Sequence, residues 1–294
     1  MNARSIALDD DERTKTFEMY IESTDAYAVV YHANWFRFMD RAAQRAFERA
    51  EDKGGHERWF KHANDDVAFA ETSVGAIEEV KYARAGALGE RATCSTTVLE
   101  RTPRAIVLHQ RLVNDDQEVF ISANVTYEIG GGDERWRARA KTPERFGAYA
   151  TTSIEVYRDE QTSARGVGVN DVLRFFERAR TDMIGGARAL AELRSASDGA
   201  TVVVSRLDAE FPRTIVRPLA RIRQCEVRTR VTMKRLQVVF HQELWDLDEN
   251  RCVAAADVAC VCLDSTTMKP RSCPRALVDV FAPFAQNVER FINK

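Results

Sequence analysis

No uninterrupted apolar stretch in this sequence approaches the roughly 20 residues that a helix needs to cross a bilayer. The opening residues, MNARSIALDDDERTKTF, lack an apolar signal core, and their acidic cluster is foreign to transit peptides. The expected location is therefore cytoplasmic, with no membrane association. An excess of charge of either sign is also missing. With 43 Lys and Arg against 45 Asp and Glu, the net charge is −2, which gives no general reason to bind nucleic acid or an anionic surface. Any anion site must be local. Metal-binding patterns are absent as well. The six cysteines (Cys94, Cys225, Cys252, Cys260, Cys262, Cys273) contain no CxxC, and the five histidines (His32, His56, His62, His109, His241) form no HExxH. No metal is expected, and the cysteines read as buried reduced thiols rather than as ligands or disulfides. What is present is a 294-residue chain, 45% hydrophobic and 30% charged, long enough for one large soluble domain or two of ordinary size.

The chain repeats itself. Arg37, Phe38, Arg41 and Ala42 return as Arg174, Phe175, Arg178 and Ala179, each 137 positions later, and Tyr20 returns as Tyr157. Arg84 matches Arg217, HQRL at 109–112 returns as HQEL at 241–244, and SANV at 122–125 as AADV at 255–258. Anchors in a constant order with slightly drifting spacing indicate a tandem duplication. The glycine- and charge-rich stretch over 131–150 reads as the linker between units 1–130 and 151–294.

Each copy has one order of elements: a short strand (near 14–21 and 151–158), a helix, then four strand-like runs. Trp35, Met39, Ala42 and Ala46 recur at helical spacing in the first copy, and Val172, Phe176, Ala179 and Met183 in the second. Gly54–Gly55 and Gly185–Gly186 then end or bend the helix. The runs that follow alternate Val, Thr, Ile and Phe with polar residues, as antiparallel strands with one wet face do. A lone helix beside such a sheet must bury its apolar face, and the sheet can provide cover by curling around it.

The stretch TDAYAVVYHANWFRFMDRA, preceding and entering the first helix, resembles the active-site segment of the 4-hydroxybenzoyl-CoA thioesterase family. The positions that carry the resemblance are Asp25, Ala28, Val29, Val30, Tyr31, His32, Asn34 and Trp35. Two residues depart from it: Ala28 replaces the usual glycine, and Ile21 stands where some members have tyrosine. The resemblance implies an α+β protein, a double hotdog in which each unit wraps a curved antiparallel sheet around a central helix. It further implies that the two units pair about a pseudo-twofold axis, sheet edge to sheet edge, and that two chains associate into a homodimer of double hotdogs.

The activity implied is hydrolysis of an acyl thioester, on CoA or on an acyl-carrier protein, with no cofactor. Asp25 would be the nucleophile or general base, with His32 beside it. Tyr31, His32 and Ala33 fall at a helix N-terminus, where main-chain amides and the helix dipole stabilise the developing oxyanion, and Asn34 would help position substrate. In the second copy Asp25 and His32 become Thr162 and Val169, so that unit lacks the reagents and would complete the first unit's site. Lys81, Arg84, Arg217, Arg221 and Arg223 are candidates to meet the phosphates of CoA or of phosphopantetheine, unless they are ordinary solvated charges at strand ends.

Other readings of the same residues stay open. Asp25 can be a loop acid satisfying nearby amides, His32 a polar group at a helix start, and Asn34 structural. Trp35 and Phe38 read first as core and second as acyl-pocket lining. His109 and His241, on matching strands, suggest a shared packing role. Whole-protein alternatives are a non-catalytic acyl-thioester binder and a hotdog hydratase or dehydratase, although the hydratase Asp/His spacing is not found.

Overall fold

The computed structural model describes residues 14–20, 23–24, 29–52, 72–102, 105–129, 149–156, 168–196, 200–211, 225–247, 250–264 and 266–286. The chain divides into two compact units, Met1–Gly130 and Gly131–Lys294.

In the first unit the described elements are β1 (Thr14–Glu18), α1 (Asn34–Asp52), β2 (Thr72–Tyr82), β3 (Arg91–Arg101), β4 (Ala105–Val113) and β5 (Val119–Ile129). The strands run antiparallel in the order β1-β3-β4-β5-β2. Burial along β4 alternates residue by residue: Ile106, Leu108, Gln110 and Leu112 face inward with no exposure. The buried stripe of α1 is Trp35, Phe38, Met39, Ala42, Ala43 and Ala46, the i, i+3, i+4, i+7 spacing of an apolar helix face. It lies on the inner face of the sheet, where the Gln110 side-chain amide on β4 donates to the Met39 carbonyl at 2.7 Å.

The second unit contains β6 (Ala150–Ile154), α2 (Val169–Met183), α3 (Ala187–Ala196), β7 (Ala200–Glu210), β8 (Cys225–Lys234), β9 (Gln237–Asp246), β10 (Arg251–Asp264), α4 (Arg275–Phe281) and the two-residue β11 (Ala285–Gln286). Its strand order is β7-β10-β9-β8-β11, and β6 also pairs with β8. Among the described strands of this unit, β11 alone pairs in parallel, with β8. Gly185 and Gly186 take φ of +99° and +93°, which L side chains adopt with difficulty. The Gly186 N–H bonds back to the Thr181 carbonyl at 2.9 Å, closing α2 as a left-handed C-terminal cap before α3 starts. The glycine pair is therefore a bend between two helices. Residues Gly54 and Gly55 and the segment 131–148 lie outside the described residues.

The two helices meet their sheets through equivalent contacts. Gln242 on β9 donates to the Phe176 carbonyl of α2 at 2.9 Å and to Thr229 at 3.2 Å, as Gln110 does to Met39 and, at 3.4 Å, to Thr96. Met39 and Phe176 are 137 positions apart, the spacing of the sequence repeat. Beyond this point the copies diverge. Arg180, buried in α2, donates to the Gln242 Oε1 at 2.5 Å and is bonded to Glu177. The matching residue in α1 is Ala43, and the Gln110 Oε1 has no hydrogen-bond partner among the described residues. In the first unit the carboxylate at the Glu177 position, Asp40, is instead bonded to the buried Tyr127, whose phenol is pushed well above its ordinary pKa by burial and then by that carboxylate.

Candidate active site

The segment entering α1 is held by main-chain pairing. Thr24 and Val30 form an antiparallel bridge, as do Val29 and Ala87. The Tyr31 N–H donates to the Ser23 carbonyl at 3.2 Å, and the Val30 N–H to the Gly86 carbonyl at 2.7 Å. Asp25 and Ala28 lie outside the described residues, directly after Thr24 and directly before Val29 in the chain. Asn34, the first residue of α1, is 3% exposed, and its side-chain amide donates to the Ser23 carbonyl at 3.0 Å. One carbonyl thus receives two bonds from the segment entering α1, one from the Tyr31 main chain and one from the Asn34 side chain, and this geometry makes the Asn34 side chain a clamp.

His32 is half-buried. Its ring lies 4.4 Å from that of Tyr31 and 6.4 Å, edge-on, from that of Tyr82. Tyr82, at the end of β2, donates from its hydroxyl to the His32 carbonyl at 3.3 Å. The structure therefore gathers Tyr31, His32 and Asn34 at the start of α1 and adds Tyr82 and Ser23, which the sequence did not single out.

The floor of this region is aromatic. Trp35, 2% exposed, stacks on Phe120 with centroids 5.1 Å apart, and Phe38 meets both Trp35 and Phe17. Gly86 sits against this layer so closely that a Cβ there would fall 2.7 Å from Trp35 Cη2 and 2.8 Å from Met19 Sδ.

The basic candidates divide. Lys81 is exposed on β2, opposite Ser122. Arg84 lies over the Phe120 ring at 5.0 Å and pairs with Glu90 at 2.6 Å and Glu118 at 3.5 Å. These partners raise its pKa, the Glu90 hydrogen bond foremost. Arg217, Arg221 and Arg223 lie outside the described residues, as does Thr162. Val169 begins α2. His109 and His241 take matching places on β4 and β9. The first bonds Asn124 at 2.8 Å; the second bonds Asp257 at 2.8 Å and Thr232 at 2.9 Å.

Among the described residues, no cluster of three or more His, Cys, Asp or Glu could hold a metal ion, and no helix is long and apolar enough to cross a membrane.

Residues 27–121 match the thioesterase superfamily. The acyl-CoA thioester hydrolase YbgC from Escherichia coli O157:H7 is 30% identical over 130 residues, covering 44% of this chain and 92% of the relative, and the Shigella flexneri protein matches to the same extent. Two solved structures align over nearly the full length at 9% identity. The putative oleoyl thioesterase from Lactobacillus plantarum has a TM-score of 0.59, covering 90% of this chain and 97% of the other. The 12:0-ACP thioesterase from Umbellularia californica has a TM-score of 0.57, covering 88% and 94%. The fold is of the hotdog type. The chain belongs to the thioesterase superfamily and is a thioester hydrolase.

Proposed function

We propose that this protein hydrolyses an acyl thioester, carried on CoA or on an acyl-carrier protein, at one site in its first unit, and that the chain is a tandem double hotdog. The observation that carries this reading is the location of the superfamily match. It falls on residues 27–121, inside the first unit, and takes in the segment from Val29 that is bonded to Ser23, Thr24 and Gly86 ahead of α1. The tandem reading is supported by the repeated glutamine-to-helix bond, Gln110 to Met39 and Gln242 to Phe176. It is also supported by structural matches that extend over both units.

In the proposed reaction Asp25 either attacks the thioester carbonyl or removes a proton from the water that does so. Charge developing on the carbonyl oxygen is met by main-chain amides at the start of α1. The thiolate leaves and is reprotonated, and water releases the acid. His32 lines the entry, with its backbone held by Tyr82, and Asn34 keeps the turn in register. A carboxylate, water and amides suffice for this chemistry, so no cofactor is invoked. The second unit, with Thr162 and Val169 at the equivalent positions, lacks the carboxylate and imidazole and is not assigned a second centre.

Asp25→Asn tests the assignment, because it retains shape while removing charge and nucleophilicity. Thiol release from a panel of acyl-CoA substrates should fall by at least about 10²-fold, while Thr162→Ala should leave it nearly unchanged. Wild-type turnover in Asp25→Asn rejects Asp25. A wild-type protein that binds acyl-CoA but releases no thiol from any substrate would make it a binding protein instead.

A further inference from the structure

Cys262 and Cys273 have no part in the chemistry proposed above, yet the fold of the second unit brings them together. Cys262 lies near the end of β10, and Cys273 lies in the segment leading to α4. Their Sγ atoms are 2.8 Å apart, roughly 0.8 Å more than a disulfide bond length. The approach is imposed by backbone, because both residues are fastened to the same two-residue turn between β8 and β9. The Cys262 N–H donates to the Leu236 carbonyl at 2.9 Å, and the Cys273 N–H to the Arg235 carbonyl at 3.0 Å. A further bond, from the Arg271 N–H to the Cys262 carbonyl at 2.9 Å, ties the returning segment to β10, as does the bridge between Leu263 and Pro270. Both Cα positions are therefore set before the sulfurs interact.

We propose that Cys262 and Cys273 form a thiol–disulfide exchange site whose oxidation clasps the C-terminal segment onto β10. Cys262 is fully buried and Cys273 is half-exposed, so an incoming reagent reaches Cys273 first. The polarity of the pair agrees with this order. Its hydrogen bond with Cys262 lowers the Cys273 pKa, and the same interaction, followed by burial, raises that of Cys262. The thiolate is the attacking form. With a low-molecular-weight disulfide as oxidant, Cys273 Sγ attacks one of its sulfurs, forming a mixed disulfide and expelling one thiolate. Cys262 then loses its proton and attacks Cys273 Sγ, expelling the second thiolate. The protein gives up two electrons and two protons, and the reagent becomes two thiols. The bridge would secure α4, whose Phe281 packs edge-on against Phe240 of β9 at 5.1 Å. The other cysteines are excluded by their surroundings. Cys94 and Cys260 are buried thiols, pushed up to about 12 by desolvation, and no cysteine other than Cys262 is found at bonding distance from Cys273 among the described residues.

The test uses the full chain, reduced and then incubated with oxidised glutathione, acid-quenched, denatured and alkylated with N-ethylmaleimide. Mass spectrometry should find four alkylated cysteines of the six and one peptide cross-linked between Cys262 and Cys273. In Cys262→Ser, glutathione should remain trapped on Cys273. The oxidised wild type should melt about 5 °C above the reduced form, a gain absent from Cys262→Ser. The peptide mapping is done on wild-type protein and so does not depend on how a variant folds. Six alkylated cysteines, or a bridge joining any other pair, overturns the assignment; the expected bridge with no rise in melting temperature overturns the clasp.

Discussion

Gln110 donates from Nε2 to the Met39 carbonyl at 2.7 Å, reaching from the sheet into the middle of α1, and its Oε1 has no partner among the described residues. Gln242 makes the equivalent bond to Phe176 but uses its Oε1 as well, to accept from the buried Arg180. The two glutamines hold matching places in the sequence repeat and are unequal in energetic consequence. Replacing Gln110 with Met removes the bond to Met39 and the longer one to Thr96, together with the Oε1 acceptor, and should cost about 1 kcal/mol. Gln242→Met deprives a buried guanidinium of an acceptor, and should cost about 2–3 kcal/mol. Urea unfolding of both variants measures the difference, and equal losses would contradict this account.

Gly86→Ala is expected to damage both stability and activity. Its Cβ would fall 2.7 Å from Trp35 Cη2, on a ring already stacked on Phe120. Met19 can bend away, but Trp35 cannot without disturbing that stack. Overpacking of this kind costs about 1–3 kcal/mol. Because the Gly86 carbonyl also holds Val30, thioester turnover should fall with stability. A fully active Gly86→Ala protein with an unchanged melting temperature would show that the turn is not anchored here.

Tyr82→Phe removes only a hydroxyl, the donor to the His32 carbonyl. The bond is long and half-buried, so its loss should cost about 1 kcal/mol. If His32 serves the proposed reaction, kcat/KM should fall about fivefold, while global stability changes by no more than that amount. Steady-state kinetics beside a thermal melt separates the two effects. An unaltered kcat/KM would place His32 outside the reaction.

Glu90 supplies a pH dependence with a definite sign. Burial works to raise its pKa, but hydrogen bonds from the Arg84 guanidinium and the Ala87 N–H outweigh it and hold the carboxyl below its ordinary value. A carboxylate depressed in the folded state stabilises above its unfolded pKa and loses that contribution as pH falls through the folded value. The pair is partly exposed, so Glu90→Gln should cost less than about 1 kcal/mol at pH 7. The gap between wild type and variant should close as pH drops below about 4. A gap that persists at pH 3 would mean that charge is not what Glu90 contributes.

Much of the fold could be read from periodicity, because helices and one-faced sheets impose it locally. The α1 stripe from Trp35 to Ala46 and the alternation along β4 and β9 depend only on which residues face water. The repeat was legible because its anchors sit in those same faces: Gln110 and Gln242 occupy matching positions where a polar side chain must reach a helix carbonyl. The short α4 and β11 carried too few residues to show a period, and α3 was hidden by the glycine pair before it.

The candidate site was legible as a motif but not as a set of contacts. The stretch through Asp25, His32 and Asn34 announced itself by residue types in a fixed order. That Asn34 clamps Ser23, that Tyr82 supports His32 from 50 positions away, and that Arg84 is held by Glu90 and Glu118 depended on strand pairing. The same is true of Cys262 and Cys273. In the sequence they are scattered thiols, and only the turn at Arg235 and Leu236, bonding to both backbones, brings their sulfurs together. Sequence alone determined which residue types were available and which faces they would occupy. Tertiary structure decided which of them meet, because hydrogen bonds between distant strands obey registers that no local pattern encodes.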